Sequence, residues 1–422
     1  MLFAHWISRS AHAFWLDAGP DAPDGWSWLG EGAPASLSDV RAADLTASAS
    51  SVEDAAAGPF RGGWVGWLGY EGGAANAGAP VRPDDLAPDA VWLRAERFVA
   101  VDHAARRLWA VAPAGDSEWA ETVRDRVASL AGADAPVPEP TGDRRVARGR
   151  HEPGEYAGLI ERCRDAIREG DAYQLCLTTR FSLDGAVDAA SVYLRLRALT
   201  PAHHGGYIRS GDVALLSASP ERFLEVADGV ARTRPIKGTR PRSADPEEDA
   251  ALAAELRASP KERAENVMIV DLMRNDLSRV SEPGSIRVDK LLEVESYAAV
   301  HQLVSTVSST LAAGTTAGDL LDATFPAGSM TGAPKLSAMT ILHRLERGPR
   351  GVFAGCFGYV GDDGVVDLAM IIRSIVVHPD GAYVGAGGGI TWGSVAADEV
   401  AEVGIKARAP LAALGAVLPE GW

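Results

Sequence analysis

Residues 259–276 read Ser-Pro-Lys-Glu-Arg-Ala-Glu-Asn-Val-Met-Ile-Val-Asp-Leu-Met-Arg-Asn-Asp. Ser259, Pro260 and Glu262 form a capping box with proline at the first helical position, which predicts a helix over 260–273. Glu262 and Glu265 stand i, i+3 on it, so both carboxylates leave one face. Further helical patterns follow at 155–169 (Ile160, Cys163 and Ile167, closed by Gly170), 250–256, 334–345 and 394–407. Between them lie strand-like runs at 173–181, 213–217, 222–226, 351–360, 369–377 and 382–385. Helices and strands mixed without a regular βαβ repeat predict an α+β or complex α/β fold.

Upstream, residues 1–130 combine short strand-like runs (91–94, 107–112) with glycine-rich loops such as 62–73. The Pro-, Ala- and Asp-rich stretch 131–147 carries no period and reads as a linker to a C-terminal region at 148–415. A chain of 422 residues exceeds the size at which one core stops growing, which predicts two lobes or a large composite domain. The net charge of −16 excludes nucleic acid and anionic membrane as main partners, and an anionic substrate would need local cations or a metal. Three widely spaced cysteines, Cys163, Cys176 and Cys356, form no disulfide framework or zinc pattern and fit a reducing cytoplasm. No apolar run reaches membrane-spanning length.

Four features carry candidate chemistry. Glu262/Glu265 and Glu399/Glu402 are two i, i+3 pairs which, brought face to face, make an all-oxygen site suited to magnesium. By spacing alone such pairs are more often solvated helix faces, and Glu402 with Lys406 makes an ordinary i, i+4 ion pair. Residues 233–242, Thr-Arg-Pro-Ile-Lys-Gly-Thr-Arg-Pro-Arg, place four cations on a segment that its prolines and glycine keep out of regular structure. Nearby positive charge and desolvation would press Lys237 toward its nucleophilic form; a solvated basic loop is the plainer reading. Residues 328–335, Gly-Ser-Met-Thr-Gly-Ala-Pro-Lys, precede an amphipathic helix and expose backbone N–H groups to an anion. Residues 385–390, Gly-Ala-Gly-Gly-Gly-Ile, permit close backbone approach to a ligand or a tight bend. Cys356 sits in a near-match to a nucleophile turn, but the outer glycine and a His-x-Glu are missing, so it reads as a buried strand residue.

Taken together the motifs SPERF (219–223), PIKGTRPR (235–242), KERAENVMIVDLMRND (261–276), GAPK (332–335), IIRS (371–374) and GGGI (387–390) resemble those of the chorismate-utilising enzymes. That family includes the anthranilate, aminodeoxychorismate, isochorismate and salicylate synthases. The resemblance runs from about Tyr156 to Ala407, with a looser echo at 62–71. It implies a large two-lobed α/β (α+β) fold of two mainly antiparallel sheets packed together, helices outside, with chorismate between the lobes. It also implies Mg²⁺ on Glu265 and Glu402, assisted by Glu262 and Glu399. Substrate-binding positions follow at Gly238, Thr239, Gly332, Ala333, Tyr359, Arg373, Gly387, Gly389 and Lys406. Glu221 matches the acid that protonates the departing C4 hydroxyl.

Two positions divide the family. Water-using members carry a lysine where this chain has Gln174, which it shares with aminating members. Members that aminate C2 carry alanine where this chain has Lys237, and in C4-aminating members that lysine is a covalent catalyst. The resemblance therefore implies amination of chorismate at C4 to 4-amino-4-deoxychorismate, toward 4-aminobenzoate and folate. Ammonia would come from a separate glutamine amidotransferase subunit. The alternatives are C2 amination with pyruvate elimination, as in anthranilate synthase component I, and a non-catalytic chorismate-binding relative. The family histidine before Leu-Val-Ser is replaced by Gln302, with His301 one place earlier, which is consistent with a missing lyase step.

Overall fold

The structure, a computed structural model, describes all residues except 21, 47–55, 134–136, 141–143 and 298–299. Two large antiparallel sheets form its centre. The first runs from Gly332–Ala333 through Gln174–Asp184, Gly381–Ile390, Ser374–His378, Val213–Ser219, His204–Ser210, His12–Asp17 and Trp26–Glu31 to Phe98–Asp102 and Arg107–Val111. The second runs from Ile236–Pro241 through Val300–Thr310, Val230–Thr233, Arg222–Ala227, Val366–Met370, Cys356–Gly361 and Gly63–Leu68 to Ala90–Ala95 and Ala33–Ala35. Arg287–Ser296 also pairs with Val300–Thr310. Strands from 1–130 and from 148–415 share both sheets, and Arg145–Val146 pairs in parallel with Ala416–Val417.

Alternation along the strands decides the layering. Phe14, Trp28, Phe98 and Ile208 of the first sheet meet Val65, Trp67, Leu93 and Phe357 of the second in a core between the sheets. The outer face of the first sheet is covered by Pro153–Arg168, Ala189–Leu199, Lys335–Glu346 and Ala396–Ala413. The outer face of the second is covered by Pro260–Ser278 and Ala317–Thr324. The expected two-sheet α/β fold with helices outside is what is found.

Three local expectations are corrected. Residues 62–73 are not a glycine-rich loop but the strand Gly63–Leu68 and the helix Tyr70–Asn76. Glycine is needed there because a Cβ on Gly66 would lie 2.1 Å from the Val91 carbonyl. Residues 369–377 are not one strand. Val366–Met370 belongs to the second sheet and Ser374–His378 to the first, and Arg373 between them has φ +52°. Residues 236–241 form an edge strand, with a register shift between Ile236 and Thr239. Prolines are tolerated on such an edge, and the bulge carries Lys237 and Gly238 (φ +79°).

Trp67 is fully buried in the inter-sheet core and donates to the Pro88 carbonyl at 3.2 Å. Trp67→Ala should cost about 3–5 kcal/mol of stability. Leu291→Ala, at a side chain 51% exposed, should stay within about 0.5 kcal/mol. Denaturant unfolding of the two variants against the parent chain measures both.

Candidate active site

The site lies where the chain changes sheets. Residues 220–221 join Val213–Ser219 in the first sheet to Arg222–Ala227 in the second, and residues 371–373 make the return crossing. The crossings lie side by side: Met370 N donates to the Glu221 carbonyl at 3.0 Å, and Ala218 N to the Arg373 carbonyl at 3.3 Å. Glu221 and Arg373 therefore leave the sheets at the same seam. Left-handed backbone at an arginine is sterically unfavourable, and such positions concentrate at functional sites.

Two helices flank the seam. Glu262 and Glu265 come from Pro260–Ser278, whose Ser259 cap accepts from Glu262 N at 3.5 Å. Glu399 and Glu402 come from Ala396–Ala413, packed on Gly381–Ile390. A Cβ on Gly388 would lie 3.2 Å from Glu399 Oε2 and 4.0 Å from Glu402 Oε1, so glycine keeps this space open. A Cβ on Gly238 would lie 2.9 Å from the Glu262 carboxyl, which seats the bulge against that glutamate. The two glutamate pairs feel each other's charge: Glu399 acts on Glu265 across the site.

Burial pushes the Glu265 carboxyl up, opposed by Lys237 and Lys261, and its Oε1 is buried with no hydrogen-bond partner. Burial also pushes Glu399 up, against a hydrogen bond from Ser394 Oγ at 2.7 Å. For Glu402, partial burial raises the carboxyl, but the Lys406 ammonium 2.6 Å away outweighs it and the net direction is down. Lys406 also donates to the Gly387 carbonyl at 2.8 Å. Glu221 is raised by burial, with Lys237, a Ser329 hydrogen bond and Lys406 opposing. Lys237 thus bears on Glu221, Glu265 and Glu402 together.

Each arginine expected to crowd Lys237 is drawn to a carboxylate. Arg234 pairs with Glu295 and Arg242 with Asp249, while Arg240 pairs with Glu255 and also lies 3.7 Å from the site glutamate Glu262. Gln174 is fully buried on the strand beside Gly332–Ala333, and neither its Oε1 nor its Nε2 has a partner. Its Nε2 lies 2.3 Å from where a Cβ on Gly389 would stand.

Not every expected residue joins this group. Tyr359 packs between the sheets, edge-on to Trp28 at 5.3 Å and 4.7 Å from the Phe60 ring, because strand alternation turns it inward. Thr239 is exposed on the edge strand. Lys335, at the end of the 328–335 motif, is held by Asp276 at 2.7 Å. His301, the neighbour of the Gln302 that replaces the family histidine, is held between Ser296 at 2.8 Å and Asp249 at 3.0 Å. Cys356 is buried on its strand, where burial pushes the thiol up. Lys261 was missed, although it stands inside the quoted motif one residue before Glu262. Among the described residues, no three acidic, histidine or cysteine side chains already close around a common ligating point. No described helix is long and apolar enough to cross a membrane.

A family model described as chorismate binding enzyme matches residues 15–412. An aminodeoxychorismate synthase from Streptomyces pristinaespiralis is 44% identical over 372 residues, covering 84% of this chain and 51% of that protein. An aminodeoxychorismate synthase component 1 from Klebsiella aerogenes is 40% identical over 346 residues, covering 82% of this chain and 75% of the relative. The solved anthranilate synthase component I from Streptococcus pneumoniae superposes with a TM-score of 0.74 at 33% identity, over 87% of this chain and 83% of that one. The chain spans about half the length of the first curated relatives it matches.

Because burial raises Glu265, the fold loses stability as pH climbs from the ordinary glutamate range through the raised value. Glu265→Gln should therefore melt roughly 1–2 °C above the parent chain at pH 8 in chelator, with the gap closing near pH 4.5. Thermal unfolding at the two pH values tests the sign.

Proposed function

The chain belongs to the chorismate binding enzymes, and we propose that it aminates chorismate at C4, yielding 4-amino-4-deoxychorismate. The observation that carries this reading is Lys237, set on a strand bulge among the carboxyls of Glu221, Glu265 and Glu402. Similarity to aminodeoxychorismate synthases supports it. Similarity to an anthranilate synthase keeps C2 amination as the second reading.

In this reading the substrate's carboxylates are held by Arg373, by Lys406 and by the backbone at Gly238, Gly332, Ala333, Gly387 and Gly389. Lys237, having passed its ammonium proton to a neighbouring carboxylate, attacks C2. Both ring double bonds shift, the C4–O bond breaks, and Glu221 gives its proton to the departing hydroxyl, which leaves as water. Ammonia then attacks C4, both double bonds shift back, and the C2–N bond to Lys237 breaks, returning the amine. Glu221 must be protonated to act, and the rise that burial gives it favours that form.

Magnesium fits the donor set, which is carboxylate oxygen throughout and includes the unpartnered Glu265 Oε1. When bound it would neutralise a substrate carboxylate. Glu265 and Glu402 would hold it, with Glu262 and Glu399 assisting, once Glu402 leaves Lys406 and Glu399 leaves Ser394. Melting temperature should rise with magnesium for the parent chain and stay flat for Glu265→Gln.

In this reading a glutamine amidotransferase supplies the ammonia, since Cys163, Cys176 and Cys356 are all buried and none of the three stands ready as a nucleophile. Chorismate, Mg²⁺ and ammonium incubated with the purified chain should give the C4-aminated product on chromatography with mass detection. Lys237→Ala should lose roughly 10²–10⁴-fold in rate, and any residual product should be the C2 isomer. Lys237→Arg should not restore it, since guanidinium stays protonated. Wild-type rate and C4 product from Lys237→Ala would sink covalent catalysis.

A further inference from the structure

Ser329 and Arg350 have no part in the chemistry above, yet Ser329 touches Glu221 and Arg350 holds the turn that carries Ser329. The Ser329 hydroxyl lies 3.3 Å from Glu221 Oε1. It rides on the single buried turn Gly328–Thr331. One turn has too few hydrogen bonds to hold itself, so its position must be imposed from outside. Arg350 imposes it: Nη1 donates to the Met330 carbonyl at 2.6 Å, and Nη2 to the Cys176 carbonyl at 2.8 Å.

Arg350 is itself immobilised. Its guanidinium, 1% exposed, makes a paired contact with Glu346 at 2.7 and 2.9 Å and lies over the Tyr70 ring at 4.2 Å. Glu346 is fixed in turn by the Thr178 N–H and hydroxyl, each at 2.9 Å. Glu71 accepts from Arg350 N and Gly351 N, both at 2.7 Å. Glu71 ends the 62–71 segment, which otherwise has no role.

We propose that Ser329 is a positioning residue for Glu221, and that the buried Glu71–Arg350–Glu346 cluster clamps Ser329's turn against it. The inference rests on Glu221 being the acid of the proposed reaction. A hydroxyl donating to Oε1 fixes the carboxyl plane and leaves Oε2 to carry the proton that is delivered. It also favours the ionised form, so its loss should make Glu221 hold its proton to higher pH.

The test labels glutamate carboxyl carbons with ¹³C and identifies the Glu221 signal by its absence in Glu221→Gln. In Ser329→Ala the Glu221 titration midpoint should move up, and kcat should fall about tenfold with KM for chorismate little changed. Ser329→Thr should restore both. Glu71→Gln, remote from the acid, should move the midpoint in the same direction. An unmoved midpoint in Ser329→Ala overturns the proposal, and an unmoved midpoint in Glu71→Gln alone overturns the clamp. The titration needs no turnover, so failure of the reading itself shows separately, as wild-type rate in Glu221→Gln.

Discussion

The paired crossing of the chain between its two sheets is the constraint on which the site depends. Two antiparallel sheets packed face to face bury their inner surfaces against each other, so a polar group between them has no water. A polar site in such a sandwich must sit where strands leave one sheet for the other. Here residues 220–221 and 371–373 cross together, tied by Met370 N to the Glu221 carbonyl and Ala218 N to the Arg373 carbonyl. Those bonds satisfy backbone that has left its ladders. They also fix the relative position of an acid and a cation that lie about 150 residues apart in sequence.

The same seam explains how a chain of net charge −16 offers a site to an anion. The whole-molecule field opposes the ligand, so binding must come from close, partly desolvated cations. Arg373, Lys237, Lys261 and Lys406 supply them, interleaved with four carboxylates from two facing helices. The mixture costs stability: Glu265 and Glu399 are both pushed above their ordinary range, and Glu265 Oε1 has no partner. Such groups persist at sites because a cation or a donor-rich ligand compensates them.

Much of this was legible in the sequence, for identifiable reasons. The Ser259 cap, without the reciprocal bond of a full capping box, fixed where a helix starts, and the i, i+3 spacing put both its glutamates on one face. Local rules govern helix starts, so the reading needed no tertiary information. Periodicity failed where tertiary context decides. Residues 366–377 read as one apolar run interrupted only by Asp367 and the pair Arg373-Ser374, and that pair was the one local sign of the break at 371–373. The glycines at 63 and 66 read as loop, yet they are strand glycines that let neighbouring backbones pass within contact. The family resemblance put Tyr359 at the substrate, whereas strand alternation turns its ring into the inter-sheet core. Facing of the two glutamate helices was not deducible from either helix alone.

Gln174 shows why packing and selectivity are one problem at this site. Its strand is buried on both faces, and a polar amide there with neither atom paired is costly. A leucine of similar size would remove that cost, so stability alone does not account for glutamine at this position. On the neighbouring strand a Cβ at Gly389 would stand 2.3 Å from Gln174 Nε2, so glycine there leaves room for the amide as it is placed. The pair lies between the Gly332–Ala333 edge, which pairs with the Gln174 strand, and the Glu399 helix, which packs on the Gly389 strand. An amide offers a donor and an acceptor but takes up no proton at neutral pH. It can orient a small polar molecule such as ammonia without activating water as a lysine amine would. In the proposed reaction that difference would separate amination from hydroxylation, and it would act through a buried amide whose two polar atoms both lack a partner in the protein.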